Sequence, residues 1–241
     1  MVRPDDRARR IEVLAAAHVF EQVAASTKSR LADALIPIEL PAERVLFHSG
    51  VVGEGCYLVE RGVLRVAIED RNGNETWLAV LGSGDLVGEL YLIDREARSA
   101  TVTAMTDCRL WLLHGRDFDR LAAEDATVYR SVARLISKRL RVTNQQVCDQ
   151  RLGLEDRLAL VMLRLADAFG ETMDDGRTLI RYPIRQSRLA EAAAASRENV
   201  NRQFKAWRES GLCEKLGRYY CLGHPPAWAE LRQNGLALMT G

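Results

Sequence analysis

The sequence contains no apolar run approaching the roughly 18 residues that a membrane-spanning helix needs, no Cys-x-x-Cys pair and no His-Glu-x-x-His. Its five cysteines (Cys56, Cys108, Cys148, Cys213, Cys221) are odd in number and scattered, which argues for reduced thiols rather than a disulfide framework, a zinc site or an iron–sulfur centre. Four dispersed histidines leave metal and haem sites without support. The opening "MVRPDDRARRIEVLAAA" alternates charges around no long apolar core, so it does not read as a secretory leader and a cytoplasmic, membrane-free protein is expected. No nucleophile–base set stands out either, so no catalytic residue is assigned and an enzyme is not expected.

What is present is a balanced, foldable composition: 47% apolar, 28% charged, net charge +1 over 241 residues. That length suits two ordinary domains, or one large one. The charge is unevenly placed. From Arg177 to Arg218 there are ten Arg or Lys against four Glu and no Asp, the footprint expected of a phosphate-binding surface, although a solvated basic face would look the same.

Helical texture from about Val13 to Leu35 gives way after Pro37 to short apolar runs separated by turn residues. Alternation in "VLRVAI" and "TWLAVL" suits half-buried strands, Asn72-Gly73 between them signals a hairpin, and "ATVTAMTDCRLWLLH" adds two more strands. Gly50, Gly62, Gly73 and Gly84 recur every 11 or 12 residues, as in a compact antiparallel roll. From Asp117 to Cys148 there is neither proline nor glycine, which predicts one long helix. Ile136, Leu140, Thr143 and Val147 form a coiled-coil-like seam on it, beside a second stripe of Val128, Val132, Leu135 and Val142. Two apolar stripes suit packing on the roll and on a twin helix, hence a homodimer; one broad core-facing stripe is the plainer alternative. Gly153 breaks the helix, and Leu158, Met162, Leu165 and Phe169 mark the buried face of the next.

In "PIRQSRLAEAAAASRENVNRQFKAWRESGL" two helices meet at a tight turn, the second N-capped by Ser196 and ending before Gly211. Val200, Phe204 and Trp207 share its inner side, while Arg197, Glu198, Asn201, Arg202 and Lys205 face outward. Such a helix can read base edges in a major groove, or it can be an ordinary amphipathic helix with a solvated face. "LCEKLGRYYCLG" follows as a β-hairpin wing, with Lys215 and Arg218 placed for phosphates.

A second motif, "GDLVGELYLIDREARSA" from Gly84, sets the carboxylate of Glu89 among apolar residues, with Arg98-Ser99 nine residues later. A buried charge needs a partner, and an anionic ligand bearing hydroxyls would serve both groups.

Over residues 20–222 the chain resembles the catabolite-activator (CRP/FNR) family of bacterial transcription regulators, in its cAMP-receptor-like branch. "SRENVNRQF" is similar to the family's recognition helix and "GDLVGEL…RSA" to its cyclic-nucleotide phosphate cassette. The resemblance implies an α+β fold. It would comprise N-terminal helices with an antiparallel β-roll (1–126), a dimerisation helix and hinge (127–153), and a winged helix-turn-helix with tail (154–241). It implies that Glu89 accepts from a ribose hydroxyl, that Arg98 and Ser99 hold the cyclic phosphate, and that Gly88 and Leu90 lend backbone N–H groups. This cassette is one residue shorter than the best-known cAMP-binding form. "KRLRVTNQQV" resembles the family's base-reading segment, which gives that role to Thr143 and to Asn144, the latter standing where serine is usual. Asparagine offers both donor and acceptor, so cAMP is the favoured effector and cGMP the second candidate; no other cofactor is implied. Phe47, Val66, Leu78 and Leu81 correspond to apolar positions near the ligand. On DNA the resemblance makes Arg197, Glu198 and Arg202 base readers of a TGTGA-like half-site, with Ser187, Ser196, Asn201, Lys205 and Arg218 also in contact. RNA polymerase is a further implied partner. Ala194 stands where the turn between the helices usually has glycine, so a turn of different shape is expected. Two alternatives stay open: a vestigial pocket, with Glu89 and Arg98 merely paired to each other and another effector sensed, or a cyclic-nucleotide module acting through protein contacts.

Overall fold

The computed structural model describes residues 4–69, 71, 75–149, 152–223 and 228. They form two compact units, one from the residues up to Ile68 with Ala79–Val142, the other from Glu69–Leu78 with the residues from Thr143 onward. The chain runs through α1 (Pro4–Ala16), a 3₁₀ turn (His18–Phe20) and α2 (Ala25–Ala34) into β1 (Ile36–Leu40), β2 (Val45–Phe47), β3 (Gly55–Arg61), β4 (Leu64–Glu69) and β5 (Glu75–Leu81). Next come β6 (Leu86–Val87), α3 (Tyr91–Asp94), β7 (Thr101–Ala104), β8 (Cys108–His114), α4 (Gly115–Glu124) and α5 (Thr127–Asp149). The strands make two four-stranded sheets, in the orders β1-β8-β3-β6 and β2-β7-β4-β5. β4 and β5 are neighbours as the hairpin signal requires, while Asn72-Gly73 itself lies outside the described residues.

Side chains that alternate along β3 and β8 divide two cores between them. Leu58 and Trp111 join a core with Leu14, Phe20, Leu31, Phe118, Leu121 and Val132 of the helices. Their chain neighbours Val59 and Leu110 turn the other way, into the core between the sheets with Leu64, Val87 and Val102. This is why β8 reads as an unbroken "LWLL": a strand covered on both faces cannot alternate with polar residues. Each large side chain so buried contributes about 1.5–3 kcal/mol. The polar edge of Trp111 is met as well, its indole N–H donating to Glu60 Oε2 at 2.7 Å.

The uninterrupted helix expected from Asp117 to Cys148 is two helices. The chain breaks at Asp125, whose carboxylate accepts from the Thr127 backbone N–H at 3.0 Å and, through its other oxygen, from the Thr27 hydroxyl at 2.8 Å. A capping carboxylate with a tertiary partner ends one helix and starts the next without proline or glycine. Of the second stripe, Val128 and Val132 are wholly buried and Leu135 packs on the helical core, but Val142 is 49% exposed and does not join it. On the seam, Leu140 is 59% exposed and Ile136 leans on the core; the Val147 side chain lies outside the described residues.

The second unit contains α6 (Leu154–Phe169), β9 (Gly170–Thr172), β10 (Thr178–Ile180), α7 (Gln186–Ala192), α8 (Arg197–Glu209), β11 (Cys213–Leu216) and β12 (Tyr219–Leu222). Its sheet runs β11-β12-β10-β9, so the expected wing hairpin is half of a four-stranded sheet whose strands β9 and β10, three residues each, are too short to carry a pattern. α6 packs on α7, α8 and β10 through Leu158, Met162 and Leu165.

Thr127 and Thr27 hold the Asp125 carboxyl below its ordinary value of 3.8. Its contribution to stability is therefore present above that value and fades as pH falls through the depressed folded value. Asp125→Ala should lower the melting temperature at neutral pH, and the gap to wild type should close below about pH 4. A gap that persists in strong acid, followed by circular dichroism, would contradict the capping role.

Candidate functional site

The cassette starts at a turn in which Asp85 Oδ2 accepts from the Gly82 N–H at 2.8 Å and Gly84 sits at φ +85°. Its far end is laced to the loop before β3: the Arg98 N–H donates to Val51 O at 2.9 Å and the Gly50 N–H to Arg98 O at 2.8 Å. Between these anchors the Arg98 guanidinium turns inward and is 6% exposed. Nη1 donates to Gly88 O at 2.9 Å and Nη2 to Gly55 O at 2.7 Å, and the group lies 4.2 Å from the centre of the Phe47 ring. Two glycines make the space. A Cβ on Gly53 would lie 2.5 Å from Arg98 Cζ, and one on Gly88, at φ +75°, 2.4 Å from Nη1. Nε is buried with no hydrogen-bond partner among the described residues, a donor suited to an anionic acceptor. The Tyr57 phenol is raised by burial, with Arg98 opposing the rise.

Glu89, also 6% exposed, pairs not with Arg98 but with Arg139 of α5 (Nη1–Oε2 2.7 Å), whose Nη2 donates to Leu86 O at 2.6 Å. Sequence reading missed Arg139. The available signal was its place in "KRLRVTN", four residues and one helical turn before Thr143. A second missed group is Arg95, held at φ +60° just after α3, which donates to Tyr91 O at 2.9 Å and pairs with Asp119 of α4. Of the other expected ligand residues, Leu90 (37%) and Ser99 are exposed, as are Thr143 and Asn144 on α5. Phe47 and Val66 are half-buried against the inter-sheet core, and Leu81 belongs to that core itself.

In the second unit, Ser196 Oγ accepts from the Asn199 N–H at 3.2 Å and starts α8. Val200, Phe204 and Trp207 are buried; Arg197, Glu198, Asn201, Arg202 and Lys205 are exposed. The outward charges pair along the helix, Arg202 with Glu198 at 3.2 Å and Lys205 with Glu209 at 3.9 Å. Both pairs are open to solvent, where such ion pairs add little to stability. Ser187 of α7 is exposed, and so is Arg218 in the β11–β12 turn, where its guanidinium meets the Tyr219 hydroxyl at 3.0 and 3.1 Å.

The turn before α8 corrects one expectation. Ala194 does not avoid the left-handed region; it takes φ +49°, a strain of about 1 kcal/mol for a residue with a Cβ. The missed residue Arg157 of α6 holds that geometry, with Nε donating to Ala193 O at 3.0 Å and Nη1 to Leu152 O at 2.6 Å.

Two outcomes follow from these geometries. Ala194→Gly should raise stability by about 1 kcal/mol, read as a higher urea midpoint at unchanged slope; an unchanged midpoint would mean the strain is absent. Arg139→Leu should cost about 2 kcal/mol by leaving Glu89 buried and unpaired, and Glu89→Leu in the same chain should recover most of it. A double variant as unstable as the single one would show that the pair is not the cause.

The comparisons with known proteins agree with this geometry. Residues 37–125 match the cyclic nucleotide-binding domain model and residues 156–227 the Crp-like helix-turn-helix model. The "Cyclic AMP receptor protein" of Thermus thermophilus is 32% identical over 81% of this chain and 83% of its own. The "cAMP-activated global transcriptional regulator CRP" of Salmonella typhimurium is 30% identical over 74% of this chain and 85% of its own. A "CRP-like cAMP-activated global transcriptional regulator" of Mycobacterium tuberculosis is 27% identical over 86% and 92%. Among solved structures, the global regulator CLP of Xanthomonas campestris superposes with a TM-score of 0.72 at 23% identity, over 83% of this chain and 99% of that one, a likeness of fold. These curated relatives are regulators of transcription, not enzymes. With a buried arginine in a glycine-lined cassette, an exposed basic helix capped for a groove, and both family models in order, the chain belongs to the CRP/FNR family of DNA-binding, cyclic-nucleotide-binding transcription regulators.

Proposed function

We propose that the protein is a homodimeric regulator whose binding to a near-palindromic, TGTGA-like DNA site is switched by cAMP. The observation that carries the effector half is the buried Arg98 guanidinium, whose Nε has no hydrogen-bond partner among the described residues, set in a space lined by Gly53 and Gly88. A cyclic phosphate supplies the missing acceptor and the countercharge, with Ser99 and the N–H groups of the cassette at Gly88 and Leu90 completing its shell. A ribose hydroxyl then donates to Glu89, whose other partner is Arg139. Ligand and α5 thus share one carboxylate, so binding favours one placement of that helix over another. Thr143, one turn beyond Arg139, and Asn144 read the base. The names of the curated relatives support cAMP, while the donor and acceptor of Asn144 leave room for cGMP.

The exposed Leu140 on the Ile136–Thr143 face supports a twin helix across the seam. A dimer would set two copies of α8 about 34 Å apart, in successive major grooves. Arg197, Glu198 and Arg202 read bases there; Ser187, Ser196, Asn201, Lys205 and Arg218 fix the frame on phosphates. The segment at Gly153 is the hinge between ligand and DNA, and RNA polymerase is the partner of the assembled complex. The finding that Glu89 pairs with Arg139 speaks against the vestigial alternative, in which it would pair with Arg98.

Calorimetric titration of nucleotide-free protein tests this reading. Binding of cAMP alone is the expected result; equal binding of cGMP would make Asn144 indifferent to the base, and binding of neither would remove the effector claim. Arg98→Ala should abolish cAMP-stimulated DNA binding in a gel shift while a folded dimer persists by light scattering. Undiminished cAMP affinity in that variant would refute the phosphate assignment.

A further inference from the structure

Trp228 lies one residue beyond the stretch matched by the helix-turn-helix model, yet it is 3% exposed. Its indole N–H donates to Leu212 O at 3.0 Å, and its ring meets Trp207 edge-on with centroids 5.2 Å apart. Leu212 is the pivot of the region. Its N–H donates to Trp207 O at 2.8 Å, and its carbonyl also accepts from the Gly223 N–H at 2.7 Å. Where the chain leaves β12, a Cβ on Gly223 would lie 2.5 Å from Gly211 O, so the exit is drawn tight against the end of α8.

The inner stripe of α8 is thereby held from several directions. Phe204 stacks on Tyr220 of β12 at 4.7 Å and meets Trp207 edge-on at 5.5 Å. The Trp207 indole N–H donates to Glu155 of α6 at 2.9 Å. Trp228 covers a further side of Trp207 and donates to the same carbonyl that anchors the wing. The outward residues keep their places only while this stripe cannot roll, because rotating a helix by one residue's worth of angle carries every outward side chain to a new bearing.

We infer that Trp228 is a positioning residue for DNA reading: its side chain fixes the rotation of α8 and the seat of the wing. The inference rests on α8 being the DNA-reading helix. It touches no DNA itself, so its effect should fall on discrimination between sequences more than on general attraction to phosphate.

The test uses the full chain, its Trp228→Ala and Trp228→Phe variants, and a duplex that the wild-type protein selects from a random pool. Trp228→Ala should bind the selected duplex about tenfold more weakly, the worth of roughly one base-pair contact. Its affinity for random duplex should barely change, and amides of residues 197–209 should exchange hydrogen severalfold faster. Trp228→Phe, which keeps a ring and loses the N–H, should fall between. If Trp228→Ala equals wild type in selectivity and in exchange, the inference is overturned; equal losses on selected and random DNA would overturn it too, as a merely structural loss. Should Trp228→Ala fail to fold, Trp228→Phe decides alone: reduced selectivity with faster exchange supports the inference, and wild-type values overturn it. If the wild-type protein selects no duplex at all, the DNA-reading assignment fails by itself, and exchange over 197–209 still decides whether Trp228 holds the helix.

Discussion

Arg98 carries a full positive charge at 6% exposure, and most of the N-terminal unit can be understood as the means of keeping it there. An isolated buried ion is too costly to survive folding, so its donors must be met. Two are met by main-chain carbonyls, of Gly88 and Gly55. Those carbonyls are far apart in the roll's sequence, at the start of β3 and just after β6, and bringing them to one guanidinium requires β3, the cassette and the loop before β3 to be in register. Glycines at 53 and 88 leave room for the guanidinium where it stands, since a Cβ at either position would force it to shift. Phe47 and Tyr57 close the apolar sides, where a weakly hydrated, planar cation packs well.

The second buried charge, Glu89, extends this arrangement into α5. Its pairing with Arg139 is a modest source of net stability, because desolvation offsets much of the attraction. It fixes placement, tying the cassette to α5 through one carboxylate. The start of α5 is pinned independently by Asp125 and Thr27, so a change at Glu89 acts on a helix already fixed at its origin.

In the second unit the same logic operates with apolar contacts instead of charge. A core of Val200, Phe204 and Trp207 lies behind α8, and among the described residues the outward Arg202 and Lys205 pair along the helix in solvent-exposed bridges. Stability and recognition therefore draw on opposite faces. The strain at Ala194 and its restraint by Arg157 show how much is invested in the angle between α7 and α8.

Much of this was legible in the residues alone. Period-2 and period-3.6 patterns located the strands, α6 and α8, because burial of one face imposes that spacing on any sequence that folds this way. Ser196 was readable as a cap, since capping is local chemistry. Glu89 and Arg98 were recognisable as charges that need partners, their assignment to ribose and phosphate being what the family resemblance implies, while the outward side chains of α8 were recognisable because their types suit base edges. The helix break at Asp125, the strands β9 and β10, and the exposed Val142 were not readable, since each depends on a neighbour distant in sequence. The same holds for the partners of the two buried charges. Which carbonyls receive Arg98, that Glu89 turns to Arg139, and that Ala194 accepts a left-handed backbone were decided only by tertiary structure, because a charge or a strained dihedral is stabilised by whatever the fold brings to it, and local sequence does not encode what arrives.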